Sequence, residues 1–328
     1  MPFKSLTGNE RIKRLLKRAV AEGRIGQGLI MAGHSGVGKR QYALALAQAL
    51  NCERPAEGDA CGTCLPCRKI EKGEHPDVST ITRPPDKQFL LIEQMRDMSR
   101  NAQFRPYEGR RRVYIIDDAH RLRIEAANSI LKILEEPPDT SLIILVTPRP
   151  YMLLETIRSR CQILNFAPLT VSEMESYLKS NFKRPAEESR LLARLSRGSI
   201  GRAMEIDLGV YRDNRKVMLE LAEAIMVSRD SIKLMNAGEY LSRKLDRPEF
   251  EDQIDVLMVL FQDVFHLKME LSSDSLTNVD IEDRLKRLAE SVSVEQLTNL
   301  VDRFEQVLRD MTVNINRQIA LESLFVSV

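Results

Sequence analysis

A glycine-rich stretch at residues 33–40, Gly-His-Ser-Gly-Val-Gly-Lys-Arg, constrains the fold of this chain more than any other feature. It follows a short apolar run at residues 29–32 and precedes a longer segment of helical apolar periodicity at residues 41–50. A strand, a glycine-rich turn and a helix in this order are typical of a phosphate-binding loop, whose backbone N–H groups surround a polyphosphate. The pattern therefore predicts a nucleotide-binding domain of the α/β class.

The loop departs from the usual motif at its last position. Lys39 occupies the place from which such loops reach the β- and γ-phosphates, but the Ser or Thr that should follow is Arg40. A hydroxyl there binds Mg²⁺, whereas a guanidinium has no lone pair for a metal. We therefore expect a site that accepts ATP or ADP but holds Mg²⁺ poorly. Its candidate binding residues are Gly33, Ser35, Gly36, Val37, Gly38, Lys39 and Arg40.

Two further apolar strands end in polar residues that suit the same site. Residues 113–116 lead into Asp117 and Asp118, and residues 141–146 lead into Thr147. The first acid at such a strand end reaches Mg²⁺ through its water shell, and a glutamate usually follows it in nucleotide-hydrolysing proteins. Asp118 is one methylene shorter than that glutamate. Asp117 and Asp118 are thus catalytic candidates, and Thr147 is a candidate γ-phosphate contact.

Four cysteines form a separate cluster with the spacing C-x₈-C-x₂-C-x₂-C. Four thiolates on two short turns suit a tetrahedral Zn²⁺ that has a structural role, because no coordination position is left for water. A disulfide pairing is disfavoured in a reducing compartment, and an iron–sulfur cluster stays open as an alternative. The candidate metal ligands are Cys52, Cys61, Cys64 and Cys67.

The order of the remaining elements predicts an α/β part followed by an all-α part. Strands and helices alternate up to residue 167, which indicates a parallel sheet covered on both faces, and only helical patterns follow. The 328 residues are enough for two or three domains. We expect a phosphate-loop domain at residues 1–167 with a zinc-binding insertion at 52–67, a small helical domain at 168–208, and a helical bundle at 209–328.

Composition excludes some classes of protein. No run of 18 uncharged apolar residues is present, so we expect no membrane segment. The first residues lack an apolar secretory core, which predicts a cytoplasmic location. Tryptophan is absent and aromatic residues make up 5%, which argues against stacking platforms for single-stranded nucleic acid.

The combination of features resembles one family over nearly the whole chain, most strongly over residues 7–205. A cysteine module after the phosphate loop, an acidic strand end, Thr147, the tripeptide Ser159-Arg160-Cys161 and a helical C-terminal part occur together. This order is similar to that of the bacterial DNA polymerase III clamp-loader subunits, gamma/tau and delta-prime. The resemblance implies the AAA+ fold, with the small helical domain as a lid and the C-terminal bundle as a collar.

The resemblance also implies roles and partners. Arg160 matches the arginine finger that reaches the ATP of a neighbouring subunit, and Arg202 lies near the lid arginine that senses nucleotide. Gly201 stands where gamma-type chains carry that arginine, which favours the delta-prime type. The implied partners are gamma/tau and delta subunits in a hetero-pentamer, the sliding clamp, and primed DNA, which the chain reaches through the complex. No membrane partner is implied.

Two functions stay open at this point. A delta-prime subunit with little or no ATPase activity of its own would present Arg160 to a motor subunit. A gamma-type subunit would hydrolyse ATP itself, and the retained Gly33, Gly38 and Lys39 support that alternative.

Overall fold

Five parallel strands form one sheet in the N-terminal part of the protein. The computed structural model describes residues 1–228, 230–271, 275–311 and 317–326. The order across the sheet is β2-β3-β4-β1-β5, and all four neighbouring pairs are parallel. This confirms the predicted parallel sheet, and its order is that of an AAA+ domain. The strands are β1 (Gly28–Ala32), β2 (Val78–Ile81), β3 (Arg112–Ile116), β4 (Ser141–Thr147) and β5 (Gln162–Asn165).

Helices cover both faces of the sheet, and this explains the continuous apolar strands. All seven residues of β4 are buried, as expected for a central strand with no solvent-facing side. On one face Leu29 and Met31 pack with Leu16 and Leu46. Alternate residues such as Ile30 face the other helix layer. The helices of this part are α1 (Glu10–Ala21), α2 (Lys39–Asn51), α3 (Leu65–Lys72), α4 (Ile92–Asn101), α5 (Ile124–Glu135) and α6 (Glu155–Arg158).

The predicted change to helices alone after Pro168 is confirmed. Thr170 caps the first of these helices, because its hydroxyl accepts a hydrogen bond from the N–H of Glu173 while the Glu173 carboxylate accepts one in return. The small helices are α7 (Val171–Phe182), α8 (Ala186–Leu195) and α9 (Ile200–Glu205).

The chain divides into two compact units, Met1–Glu205 and Ile206–Val328. The second unit is helical throughout its described elements. No described helix combines the length and the apolar character that crossing a bilayer requires. The helices of the second unit are α10 (Leu208–Glu223), α11 (Ser231–Glu239), α12 (Arg247–Lys268), α13 (Glu282–Ser291), α14 (Val294–Met311) and α15 (Arg317–Val326).

One buried carboxylate holds the loop between α4 and β3. Asp77 is 1% exposed and accepts hydrogen bonds of 2.7 to 2.9 Å from three backbone N–H groups, those of Tyr107, Glu108 and Gly109. The guanidinium of Arg112 donates to it as well, with Nη2 at 3.0 Å from Oδ1. Burial by itself raises the pKa of Asp77, but these donors outweigh burial and leave the pKa below its usual value.

Replacing Asp77 with Asn is expected to lower the free energy of unfolding by about 3 kcal/mol at neutral pH, because Arg112 loses its buried charge partner. Since the pKa of Asp77 is lower in the folded than in the unfolded protein, this contribution is complete above about pH 4. It disappears as the pH falls through the folded-state pKa. Urea unfolding of both proteins at neutral and acidic pH measures the difference.

Asp86→Asn is the matched control for this experiment, because Asp86 is exposed in the loop before α4. Its effect should stay within about 0.5 kcal/mol. Equal stability of the Asp77→Asn protein and the wild type at neutral pH would contradict the anchoring role.

Candidate nucleotide and metal sites

The candidate nucleotide residues meet at the carboxyl edge of three adjacent strands. Gly33, Asp117 and Thr147 directly follow or end β1, β3 and β4, which are neighbours in the sheet. Ala32 pairs with Thr147, and the N–H of Gly33 donates to the Thr147 carbonyl at 3.3 Å. This edge is where open parallel sheets bind ligands.

Two loop positions require glycine because of close contacts. Gly33 has φ +148°, and a Cβ there would lie 2.4 Å from the carbonyl oxygen of Phe166. Gly36 has φ +74°, and a Cβ there would lie 2.1 Å from the hydroxyl of Ser199. Between them Ser35 is exposed, whereas after Gly36 the side chain of Val37 is buried in the core beneath the loop. The loop is thus anchored from below by Val37.

Lys39 is folded back onto the loop. It is 5% exposed, and its Nζ donates to the carbonyl oxygens of Gly33 and His34, at 2.6 Å each. Burial lowers the pKa of Lys39, and the nearby carboxylates of Asp117 and Asp118 counteract this only partly. The ammonium group has three donors, so one is left after these two bonds.

Arg40 and Asp117 face each other across the site. Nη1 of Arg40 lies 3.7 Å from Oδ2 of Asp117, while Oδ1 of Asp117 accepts a hydrogen bond from the N–H of Asp118 at 3.1 Å. Burial and the charge of Asp118 raise the pKa of Asp117, against the smaller opposing effects of Arg40 and Lys39. Asp118 has a left-handed backbone conformation, with φ +51°, and its Oδ2 lies 3.8 Å from Nε of Arg121.

Thr147 lies at this edge of the sheet with two residues that the sequence analysis did not identify, Arg149 and His120. Thr147 is fully buried, and its hydroxyl accepts a hydrogen bond from the N–H of Arg149 at 3.0 Å. Burial lowers the pKa of His120. The charge of Asp118 opposes this effect, whereas the charges of Arg149 and Lys39 lower the pKa further. His120 follows the acidic strand end by two residues, and this proximity in sequence is the signal that could have identified it.

Helix α9, in the predicted lid, contacts the phosphate loop directly. The N–H of Gly201 donates to the carbonyl of Gly36 at 3.1 Å, and a Cβ on Gly201 would lie 3.0 Å from the Cα of Gly36. Arg202, the next residue, is partly exposed on α9, and its N–H donates to the hydroxyl of Ser199. The predicted lid arginine is therefore one residue from the contact with the loop.

Arg160 lies at the opposite edge of the sheet from its own phosphate loop. It precedes the start of β5, where Gln162 pairs with Leu29, whereas the phosphate loop follows the end of β1. Its side chain is 36% exposed, and Nη2 lies 2.9 Å from Oε1 of Glu135. Nη1 donates to the carbonyl of Thr156 at 2.9 Å.

Cys161 is a packing residue beside this arginine. Its Sγ lies 2.8 Å from the position that a Cβ on Gly28 would occupy, and its thiol is buried. Burial raises the pKa of the Cys161 thiol to about 11. Cys161 thus fits the small space that Gly28 leaves at the start of β1.

The four predicted metal ligands come together. The Sγ atoms of Cys52, Cys61, Cys64 and Cys67 all lie within 4.8 Å of one another. Sγ of Cys52 and Sγ of Cys64 are 3.9 Å apart, close to the separation of about 3.8 Å that four thiolates at 2.3 Å from Zn²⁺ would have. Hydrogen bonds from the N–H groups of Thr63 and Cys64 lower the pKa of Cys61 to about 5. The group can hold a metal ion.

The end of α2 connects this cluster to the loop before β3. Asn51, the last residue of α2, directly precedes Cys52 and is 3% exposed. Its Oδ1 accepts hydrogen bonds from the N–H groups of Arg110 and Arg111, at 2.8 and 2.9 Å. A Cβ on Gly109 would lie 2.6 Å from the same oxygen.

Comparison with known proteins identifies the family. Residues 8–170 match the family described as DNA polymerase III, delta subunit, and residues 215–328 match its C-terminal family. The DNA polymerase III subunit delta' of Bacillus subtilis (strain 168) is 27% identical over 317 residues, 96% of this chain and 94% of that protein.

Two proteins of Escherichia coli (strain K12) are also similar. Its DNA polymerase III subunit delta' is 28% identical over 320 residues, which cover 95% of this chain and 92% of that protein. Its subunit tau is 32% identical over 243 residues, which cover 72% of this chain but 37% of tau. With the AAA+ strand order and the cysteine cluster on the N-terminal unit, these matches show that the chain belongs to the family of bacterial DNA polymerase III clamp-loader subunits, of the delta-prime type.

Proposed function

We propose that this chain is the clamp-loader subunit that supplies Arg160 in trans to the ATP of a neighbouring subunit. Its partners in this proposal are gamma/tau and delta subunits in a cytoplasmic hetero-pentamer. The assembly opens a sliding clamp and loads it on primed DNA, and ATP hydrolysis by partner subunits drives the cycle. A guanidinium supplied in this way neutralises the charge that develops on the γ-phosphoryl oxygens.

The position of Arg160 carries the proposal. β1 separates its strand-start edge from the phosphate loop, and five residues of strand span about 16 Å. Arg160 therefore cannot serve its own site, but its partial exposure allows contact with another chain. Glu135 holds the guanidinium in one orientation, through an ion pair exposed enough to exchange for a phosphate.

The geometry of the chain's own site supports a weak or absent ATPase activity. Arg40 faces Asp117, the acid that should organise the metal, and Asp118 replaces the usual glutamate. Both features disfavour metal-dependent hydrolysis. This arrangement favours the delta-prime role over the gamma-type alternative, in which Lys39, Asp117 and water-completed Mg²⁺ would suffice for turnover.

The same proposal includes a structural Zn²⁺ on the four clustered cysteines. The ligand set is complete without water, so the site has no open position for catalysis. Bound Zn²⁺ would fix the segment between α2 and α3, which otherwise has little regular structure of its own.

In the reconstituted clamp loader, Arg160→Ala is expected to lower ATP turnover and clamp loading by about 10³-fold or more at the affected site. The matched control is Arg18→Ala, because Arg18 is also an exposed arginine in an ion pair, with Glu22 on α1. Steady-state ATPase and clamp-loading assays on the purified assemblies measure the effect. Unchanged turnover in the Arg160→Ala assembly would contradict the proposed arginine-finger role of Arg160.

Glu135→Gln separates the trans role from a merely structural one. This substitution breaks the ion pair within the chain but leaves the guanidinium available to a neighbour. Turnover in the loader should therefore stay within about twofold of the wild type. If Glu135→Gln instead reproduces the loss seen with Arg160→Ala, the ion pair itself is what matters.

Metal analysis of the purified chain tests the zinc assignment. We expect about one Zn²⁺ per chain in the wild type and in Cys161→Ala, and a loss of the metal in Cys64→Ser. Chelation should lower the thermal midpoint of the wild type, because metal binding is coupled to folding of the ligand loops. Iron and acid-labile sulfide in the preparation would instead identify the iron–sulfur alternative.

ATP hydrolysis by the isolated chain tests the gamma-type alternative. Turnover should be at the background level, and Lys39→Ala should not change it further. A robust rate that Lys39→Ala abolishes would favour a motor subunit.

A further inference from the structure

The first turn of α2 carries a positive charge where phosphate loops normally carry a metal-binding hydroxyl. Nη1 of Arg40 is 3.7 Å from Oδ2 of Asp117, and the Arg40 side chain is half exposed. The other oxygen of Asp117 accepts the N–H of Asp118. Both oxygens of the carboxylate that should organise the metal's water shell are therefore engaged.

Mg²⁺ does not fit this donor set. It needs six oxygen ligands in near-octahedral geometry at short distances. Arg40 offers five donors and no acceptor, so it cannot supply the missing oxygen. A divalent cation next to Asp117 would also lie beside the guanidinium, and the two positive charges would repel each other in a partly buried site.

The features that bind phosphate are nevertheless retained. Gly33, Gly36 and Gly38 have positive φ angles, and the 13-residue helix α2 begins directly after them. Lys39 keeps one free N–H donor after its bonds to two loop carbonyls. A chain that no longer bound nucleotide would not require this backbone conformation or a buried lysine at its centre.

We propose that this site binds a nucleoside di- or triphosphate as the metal-free anion, with the Arg40 guanidinium in the place of Mg²⁺. Arg40 bridges the phosphate oxygens and Asp117, as the metal's water shell does in magnesium-dependent sites. Guanidinium–phosphate hydrogen bonds are charge-assisted and often bidentate, which suits this role. The inference concerns the chain's own site and is independent of the trans role of Arg160.

Equilibrium binding of ADP and ATP to the isolated full-length chain, in EDTA and in millimolar Mg²⁺, tests this proposal. For the wild type we expect the dissociation constants in the two buffers to agree within about threefold. Arg40→Ala should weaken binding in EDTA by about tenfold, which corresponds to one charge-assisted hydrogen bond. Lys39→Ala should weaken it further, and Arg24→Ala, in an exposed ion pair with Glu22, should have no effect.

Arg40→Ser is the sharpest variant, because it restores the missing hydroxyl. Its affinity should become about tenfold higher in Mg²⁺ than in EDTA. With Mn²⁺ in place of Mg²⁺, electron paramagnetic resonance should show protein-bound metal in the ADP complex of Arg40→Ser but not of the wild type. Circular dichroism confirms that each variant is folded.

Two results would overturn the proposal. One is wild-type binding that is at least about tenfold tighter in Mg²⁺ than in EDTA. The other is a wild type that binds neither nucleotide at millimolar concentration. Neither result bears on the Arg160→Ala experiment in the assembled loader, so failures of the two proposals are distinguishable.

Discussion

Parallel hydrogen bonding of β1 to both β4 and β5 is the constraint on which the rest of the N-terminal unit depends. Because all strands run in one direction, everything that follows a strand lies at one edge of the sheet, and everything that precedes one lies at the other. The phosphate loop and Arg160 are therefore kept apart by the length of β1. A single sheet thus holds the phosphate loop at one edge and Arg160 at the other, which is the separation that the proposed trans role requires.

The charges at the nucleotide edge are balanced within the chain itself. Lys39 and Arg40 are adjacent in sequence but face different partners, the carbonyls of the loop and the carboxylate of Asp117. A partly buried carboxylate beside another acid is costly unless a cation is near, and here Arg40 supplies that cation. In a phosphate loop that carries the usual Ser or Thr, that cation is a metal that arrives with the nucleotide. In this chain the cation is part of the fold and is present before any ligand binds.

The parts that the sequence predicts correctly depend on short-range spacing. Glycines at fixed intervals between a strand and a helix, paired cysteines two residues apart, and apolar runs of strand length each specify their local structure. The helix after the acidic strand end begins only at Ile124, because the left-handed turn at Asp118 leads into a short 3₁₀ segment, Ala119–Arg121. Periodicity alone does not show such a turn.

The parts that the sequence does not predict are tertiary. Nothing in the pattern connects Arg160 to Glu135, the last residue of α5, or Gly36 to Gly201, which is 165 positions later. The direction of the Lys39 side chain also depends on which carbonyls the folded loop presents. These pairs exist only once the sheet has brought separate helices and loops together, so they require the structure.

The two ends of α2 belong to different parts of the N-terminal unit. Its first residue, Lys39, belongs to the phosphate loop, and its last, Asn51, binds the backbone of Arg110 and Arg111 next to the first cysteine of the metal cluster. A 13-residue helix is stiff over this length of about 20 Å. The helix therefore fixes the distance between the phosphate loop at one edge of the sheet and the arginine-containing loop before β3 at the other.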